Sequence, residues 1–110
     1  MKVDKKGHTT IIKETGGNVI TFIENVTNQY ATFKEQNLIL DISKDKNIVI
    51  NDLINFKSLA KNHNKAKKSL VIVTSHIDFN DVPDYLTVVP SILEAQDIIE
   101  MEEIERDLGF

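Results

Sequence analysis

Asn37-Leu38-Ile39-Leu40-Asp41-Ile42-Ser43 is the stretch whose reading decides the fold. A strand that exposes one face alternates apolar and polar residues, whereas an unbroken apolar run suits a strand covered on both faces. This run ends in Asp41 and Ser43 and feeds a loop that continues to Asn51-Asp52-Leu53, with a brief β-branched run at Ile48-Val49-Ile50. In α/β sheets, functional groups gather in loops beyond the carboxyl ends of strands. A site is therefore expected in residues 44–52.

Beyond the loop, Asn51 reads as an N-cap whose side chain accepts from the first turn, and Asp52 suits the positive end of a helix. Leu53, Phe56, Leu59 and Ala60 then form an apolar stripe, and residues 62–68 read as a polar exit. Lys57, Lys61, Lys65, Lys67 and Lys68 read as the solvated face and end of this second helix, since cations are favoured at a helix C-terminus. Ser69-Leu70-Val71-Ile72-Val73-Thr74-Ser75 is a second buried strand. Residues 78–85 form a turn or short helical piece, Leu86-Thr87-Val88-Val89 a third short strand, and Pro90 ends it. Ser91 with Glu94 makes an S-x-x-E capping box. The final helix carries Ile92, Ala95, Ile98, Ile99, Met101 and Ile104, with acids between them.

Upstream of the deciding stretch, residues 1–7 read as a lead with an edge strand ending at Gly7. His8-Thr9-Thr10-Ile11-Ile12-Lys13-Glu14 reads as a strand, which Gly16-Gly17 breaks. Asn18 can cap the helix that follows, where Val19, Phe22, Ile23, Val26, Tyr30 and Phe33 recur at steps of three and four. Strand–helix–strand crossovers imply parallel neighbours. The expectation is one α/β domain over residues 1–110, with a mixed four- or five-stranded sheet and helices mainly on one side.

Composition narrows the function classes. The chain has 110 residues, 41% hydrophobic and 27% charged, with no cysteine and a net charge of −4. Disulfides, thiolate metal sites and a cysteine nucleophile are excluded. Arg106 is the only arginine, and an acidic chain of this kind is not expected to bind nucleic acid, because phosphate contacts require clustered cations. The N-terminus lacks the apolar run of a secretory signal, and no window approaches a membrane span, so no membrane insertion and a cytoplasmic location are expected.

The chemistry-bearing residues form no catalytic set. His8, His63 and His76 are not spaced for a metal, so no metal and no cofactor are expected. His76 alone follows a strand's carboxyl end; it reads as an exposed loop histidine. Ser43, Thr74 and Ser75 lie at strand ends without a G-x-S-x-G elbow, and no phosphate-binding glycine pattern is present. Glu94, Asp97, Glu100, Glu102, Glu103, Glu105 and Asp107 alternate with an apolar stripe, as on a solvated helix. A docking surface for a basic partner is the sharper alternative. Leu108 and Phe110, apolar at the end of the chain, point to packing on the body or on a second copy, which leaves a homodimer open.

With this order of elements, the chain resembles a STAS domain, the module of anti-sigma-factor antagonists and of sulfate-transporter tails. The resemblance rests on Leu38-Ile39-Leu40-Asp41-Ile42-Ser43, on the loop and helix start at Asn51-Asp52-Leu53, and on the closing stretch from Leu86 to Ala95. It implies a non-catalytic regulatory module, not an enzyme, with a protein partner: an anti-sigma-type kinase, another signalling protein or an enzyme. In the antagonists a D-S-[ST]-G motif opens the second helix, and its hydroxyl is phosphorylated. Val49-Ile50-Asn51-Asp52 stands there instead. Asn51 occupies the phosphoacceptor position and cannot take a phosphoryl group, so no phosphorylation is expected there, while Ser43 and Ser58 are acceptors by proximity only. The partner-binding residues expected are Ser43, Lys44, Asn51 and Asp52, with the exposed face of residues 52–63. The alternative is a small-ligand or nucleotide site built from Asp41, Ser43, Asn51 and Thr74.

Overall fold

The structure is a computed structural model that describes residues 1–109; Phe110, expected to pack on the body or a second copy, lies outside the described residues. Its strands are β1 (Lys2–Lys6), β2 (Thr9–Lys13), β3 (Asn37–Asp41), β4 (Leu70–Val73) and β5 (Val88–Val89). Its helices are α1 (Val19–Asn28), α2 (Tyr30–Phe33), α3 (Ile50–Leu53), α4 (Lys57–Lys65) and α5 (Ile92–Asp107). One five-stranded sheet runs in the order β1-β2-β3-β4-β5. β1 pairs antiparallel with β2, and every other neighbour is parallel. This is the mixed α/β sheet expected from the sequence.

The β1–β2 hairpin turns at Gly7, whose φ of +59° falls at the first central position, where a type II′ turn calls for glycine. β3 is central, and all of its residues are buried. Alternation sends Leu38 and Leu40 to one face, where α1 to α4 supply Phe22, Val26, Phe33, Leu53 and Leu59, and the turn between α3 and α4 supplies Phe56. Ile39 goes to the other face, with Ile11, Val71, Val73 and Val89, against Ala95 and Ile99 of α5. That two-sided cover is why the run at 38–42 tolerates no polar interruption before Asp41.

The strands advance in one direction from β2 to β5, so right-handed crossovers place every connection on the same face. The β4–β5 connection obeys this: Ile77, Val82 and Tyr85 pack against the cluster under α1 to α4. α5 follows the last strand and has no crossover to complete. It covers the opposite face, which would otherwise expose Ile39, Val71 and Val73 to water. At roughly 25 cal/mol per Å² of apolar area, that exposure is decisive.

Three local readings are corrected. The helix expected to run continuously to Phe33 breaks at Gln29, whose N–H reaches back to both Asn25 and Val26; Thr27 and Asn28 are weak helix formers at that point. The second helix is likewise segmented into α3, a 3-10 turn at Ile54–Phe56, and α4. Its N-cap is Val49, not Asn51. The expected caps of the other long helices are present: Asn18 Oδ1 accepts from Thr21 N at 3.2 Å, and Ser91 Oγ from Glu94 N at 3.2 Å. Among the described residues, no helix is long and apolar enough to cross a membrane.

Candidate functional site

The loop after β3 is built from side chains that bond their own backbone. Asp41 Oδ1 accepts from Ser43 N at 3.0 Å, and Asp45 Oδ1 from Asn47 N at 3.0 Å, each closing a turn two residues on. Asp52 Oδ2 then accepts from Val49 N at 3.0 Å, while Asp52 N donates to the Val49 carbonyl, also at 3.0 Å. A valine has no side-chain acceptor, so the side-chain half of this cap comes from the carboxylate of Asp52. Asn55 Nδ2 donates to the Asp52 carbonyl at 3.1 Å and holds the next turn.

Against this frame the expected partner-binding residues separate. Asn51 and Lys44 are exposed, and Ser43 and Asp52 are half-buried. Asn51 sits in the first turn of α3 with Val49 before it and Ile54 after it, and these two apolar side chains are 55% and 44% exposed. Two apolar side chains, one at each end of α3, and an amide in its first turn are therefore exposed to solvent in the segment that follows the central strand. Ser58, the other hydroxyl considered, is exposed on α4. A groove of about 180 Å³ continues from this surface, lined by Thr27, Tyr30, Asn55, Ser58, Leu59 and Asn62.

Of the four residues of the ligand reading, Asp41 and Thr74 lie on opposite faces of the sheet. Asp41 follows Ile39 in the alternation and is on the α5 face, whereas Thr74 follows Ile72 and is on the α4 face, fully buried. The Thr74 hydroxyl accepts from His76 N at 3.3 Å and so closes a turn of its own.

His63, expected in a solvated helix exit, is fully buried. Its Nε2 lies 2.7 Å from the Gln36 carbonyl, which can only accept, so Nε2 carries the proton. Nδ1 is then the acceptor for the Tyr30 hydroxyl, also at 2.7 Å, and the two rings meet edge to face. Burial lowers the His63 pKa, the Gln36 hydrogen bond works the other way, and the charges of Lys68 and Arg106 lower it further. Burial raises that of the Tyr30 phenol. Both groups are held neutral, so the pair locks α4 to α2 and to the entry of β3. A signal was available: His63 is four residues beyond Leu59 and seven beyond Phe56, on the same helical stripe.

A second polar network ties α5 down. Asn37 Oδ1 accepts from Ser69 N at 2.9 Å and from Arg106 at 3.4 Å, and Asn37 Nδ2 donates to Glu103 at 3.1 Å. Ser69 Oγ donates to Glu102 at 2.5 Å and accepts from Arg106 at 3.1 Å. Arg106, Glu102 and Glu103 are thus spent on the amino ends of β3 and β4. Of the other histidines, His8 and His76 are exposed. No group of acidic or histidine side chains that could hold a metal occurs among the described residues.

No protein-family model matches this chain, and no curated protein matches it. Fold and site together define a small mixed α/β domain whose central strand leads into a short helix flanked by two exposed apolar side chains.

Proposed function

We propose that the chain is a non-catalytic, STAS-like interaction module that captures a protein partner through residues 44–52 and the outer surface of α3 and α4. The partner class that the resemblance implies is a kinase of the anti-sigma type, another signalling protein or an enzyme. The observation that supports this is the exposure of Val49, Asn51 and Ile54 along the short helix α3. Apolar side chains exposed beside a rigid polar frame have the makeup of an interface centre. Asp52 and Asn55 hold the frame in place without a ligand, so docking would require little ordering. With Asn51 in the phosphoacceptor position, docking here would be constitutive, without a phosphate switch at that residue.

The test is Asn51→Arg. The side chain is exposed and, among the described residues, makes no hydrogen bond, so the fold should tolerate the change while a charge enters this surface. Capture of the partner from cell extract should drop by about tenfold or more, as for a central interface residue, with the circular dichroism spectrum unchanged. Undiminished capture would show that the surface has been misassigned.

A further inference from the structure

We propose that the outer face of α5 docks a basic, amphipathic helical segment of a partner protein. This surface is separate from the α3–α4 patch, and α5 lies on the opposite side of the sheet. α5 has two apolar faces. Ala95 and Ile99 are buried against the sheet, with Ile92 and Ile98 beside them. On the far side Leu93, Met101, Ile104 and Leu108 are 68%, 60%, 55% and 66% exposed. At 100° per residue these four fall within about 80° of arc, centred nearly opposite Ala95 and Ile99. Steps of three and four between Leu93, Asp97, Met101, Ile104 and Leu108 make a seam about 22 Å long, the spacing with which one helix packs along another.

Charge selects the occupant. Asp97 lies inside the seam, and Glu94, Glu100, Glu105 and Asp107 border it, all exposed. The one cation of the helix, Arg106, is turned inward to Ser69 and Asn37. Among the described residues none of these acids forms an ion pair. A second copy laid on the seam would oppose its own carboxylates, whereas leucines flanked by lysines would match both the stripe and its rim.

The probe is a fluorescein-labelled helical peptide of about 16 residues, with leucines at three-four spacing and lysines on both flanks. Its control is the same peptide with glutamate for each lysine. Anisotropy titrations on the full chain should show the lysine peptide binding about tenfold or more tightly than the control, and more weakly as salt rises. Amide chemical shifts should move at Leu93, Met101, Ile104 and Leu108. The double substitution Met101→Ser, Ile104→Ser should weaken binding about tenfold or more. Because both residues are exposed, the thermal midpoint should hold; if it drops, the shift map on the unmodified chain decides. Equal binding of the two peptides, shifts confined to the α3–α4 surface, or binding that survives the substitution at full strength would overturn the proposal. So would a low-salt dimer, seen by sedimentation, that the double substitution dissolves.

Discussion

Tyr30→Phe isolates the pair that holds α4 in place. The substitution removes one oxygen and leaves the ring. His63 Nδ1, which receives the phenol hydrogen bond at 2.7 Å, then becomes a buried acceptor without a donor. Such a group costs about 1–3 kcal/mol. Tyr30 lines an open groove, so a water can take the place of the lost hydroxyl. That points to the lower half of the range, about 1–1.5 kcal/mol. Urea denaturation near neutral pH should show the midpoint falling with an unchanged slope.

The same pair dictates a pH dependence. The folded chain holds His63 neutral with a lowered pKa, whereas the unfolded chain protonates it below about 6.5. The unfolded state then binds the extra proton, so the contribution is complete above that value and is lost as pH falls toward the folded pKa. The slope from this one proton cannot exceed about 1.4 kcal/mol per pH unit. His63→Leu should remove that part of the slope. A Tyr30→Phe midpoint equal to wild type, or parallel pH profiles for wild type and His63→Leu, would refute the assignment.

Three further outcomes follow from the packing. Phe56→Ala opens a cavity where a fully buried ring sits between α3 and α4, and should cost about 3–5 kcal/mol in the same denaturation assay. Lys67 ends α4 at φ +62°, with Lys67 N on the Asn64 carbonyl and Lys68 N on the His63 carbonyl; Lys67→Gly should stabilise by roughly 0.5–1 kcal/mol, since this left-handed position favours glycine. Asn37→Ala deprives Ser69 N and Glu103 of their partner, and should lower stability by about 1–3 kcal/mol while speeding amide exchange in the last turns of α5.

Much of the fold was legible because its signals are local. Asn18 and Ser91 cap the helices that follow them, and the apolar run at β3 announces a strand covered twice. Other features depend on tertiary context. α5 carries isoleucines all around its circumference, so periodicity alone could not say which face meets the sheet or that the helix would cross to the side left bare. The N-cap moved from Asn51 to Val49 because Asp52, three residues on, satisfies the valine's N–H; a carboxylate reaching back outweighed an amide's capping preference. His63 was masked by its polar neighbours Asn62, Asn64 and Lys65, although its spacing from Phe56 and Leu59 marked it for the interior. Lys67 concealed a helix end that normally shows itself as glycine. At the site, the loop after the central strand was legible as a loop, whereas Asn51 falls inside the first turn of α3 rather than at its cap, and the exposure of Val49 and Ile54 depends on the path of the chain into α3.

Docking of a protein partner on the loop after β3 and on α3 and α4, as we propose, is open to one direct test. Amide hydrogen exchange of the full chain, alone and saturated with its captured partner, reads this directly. Added protection should concentrate in residues 44–62, around Asn51 and Asn55. Protection absent from that segment and found elsewhere would contradict the account.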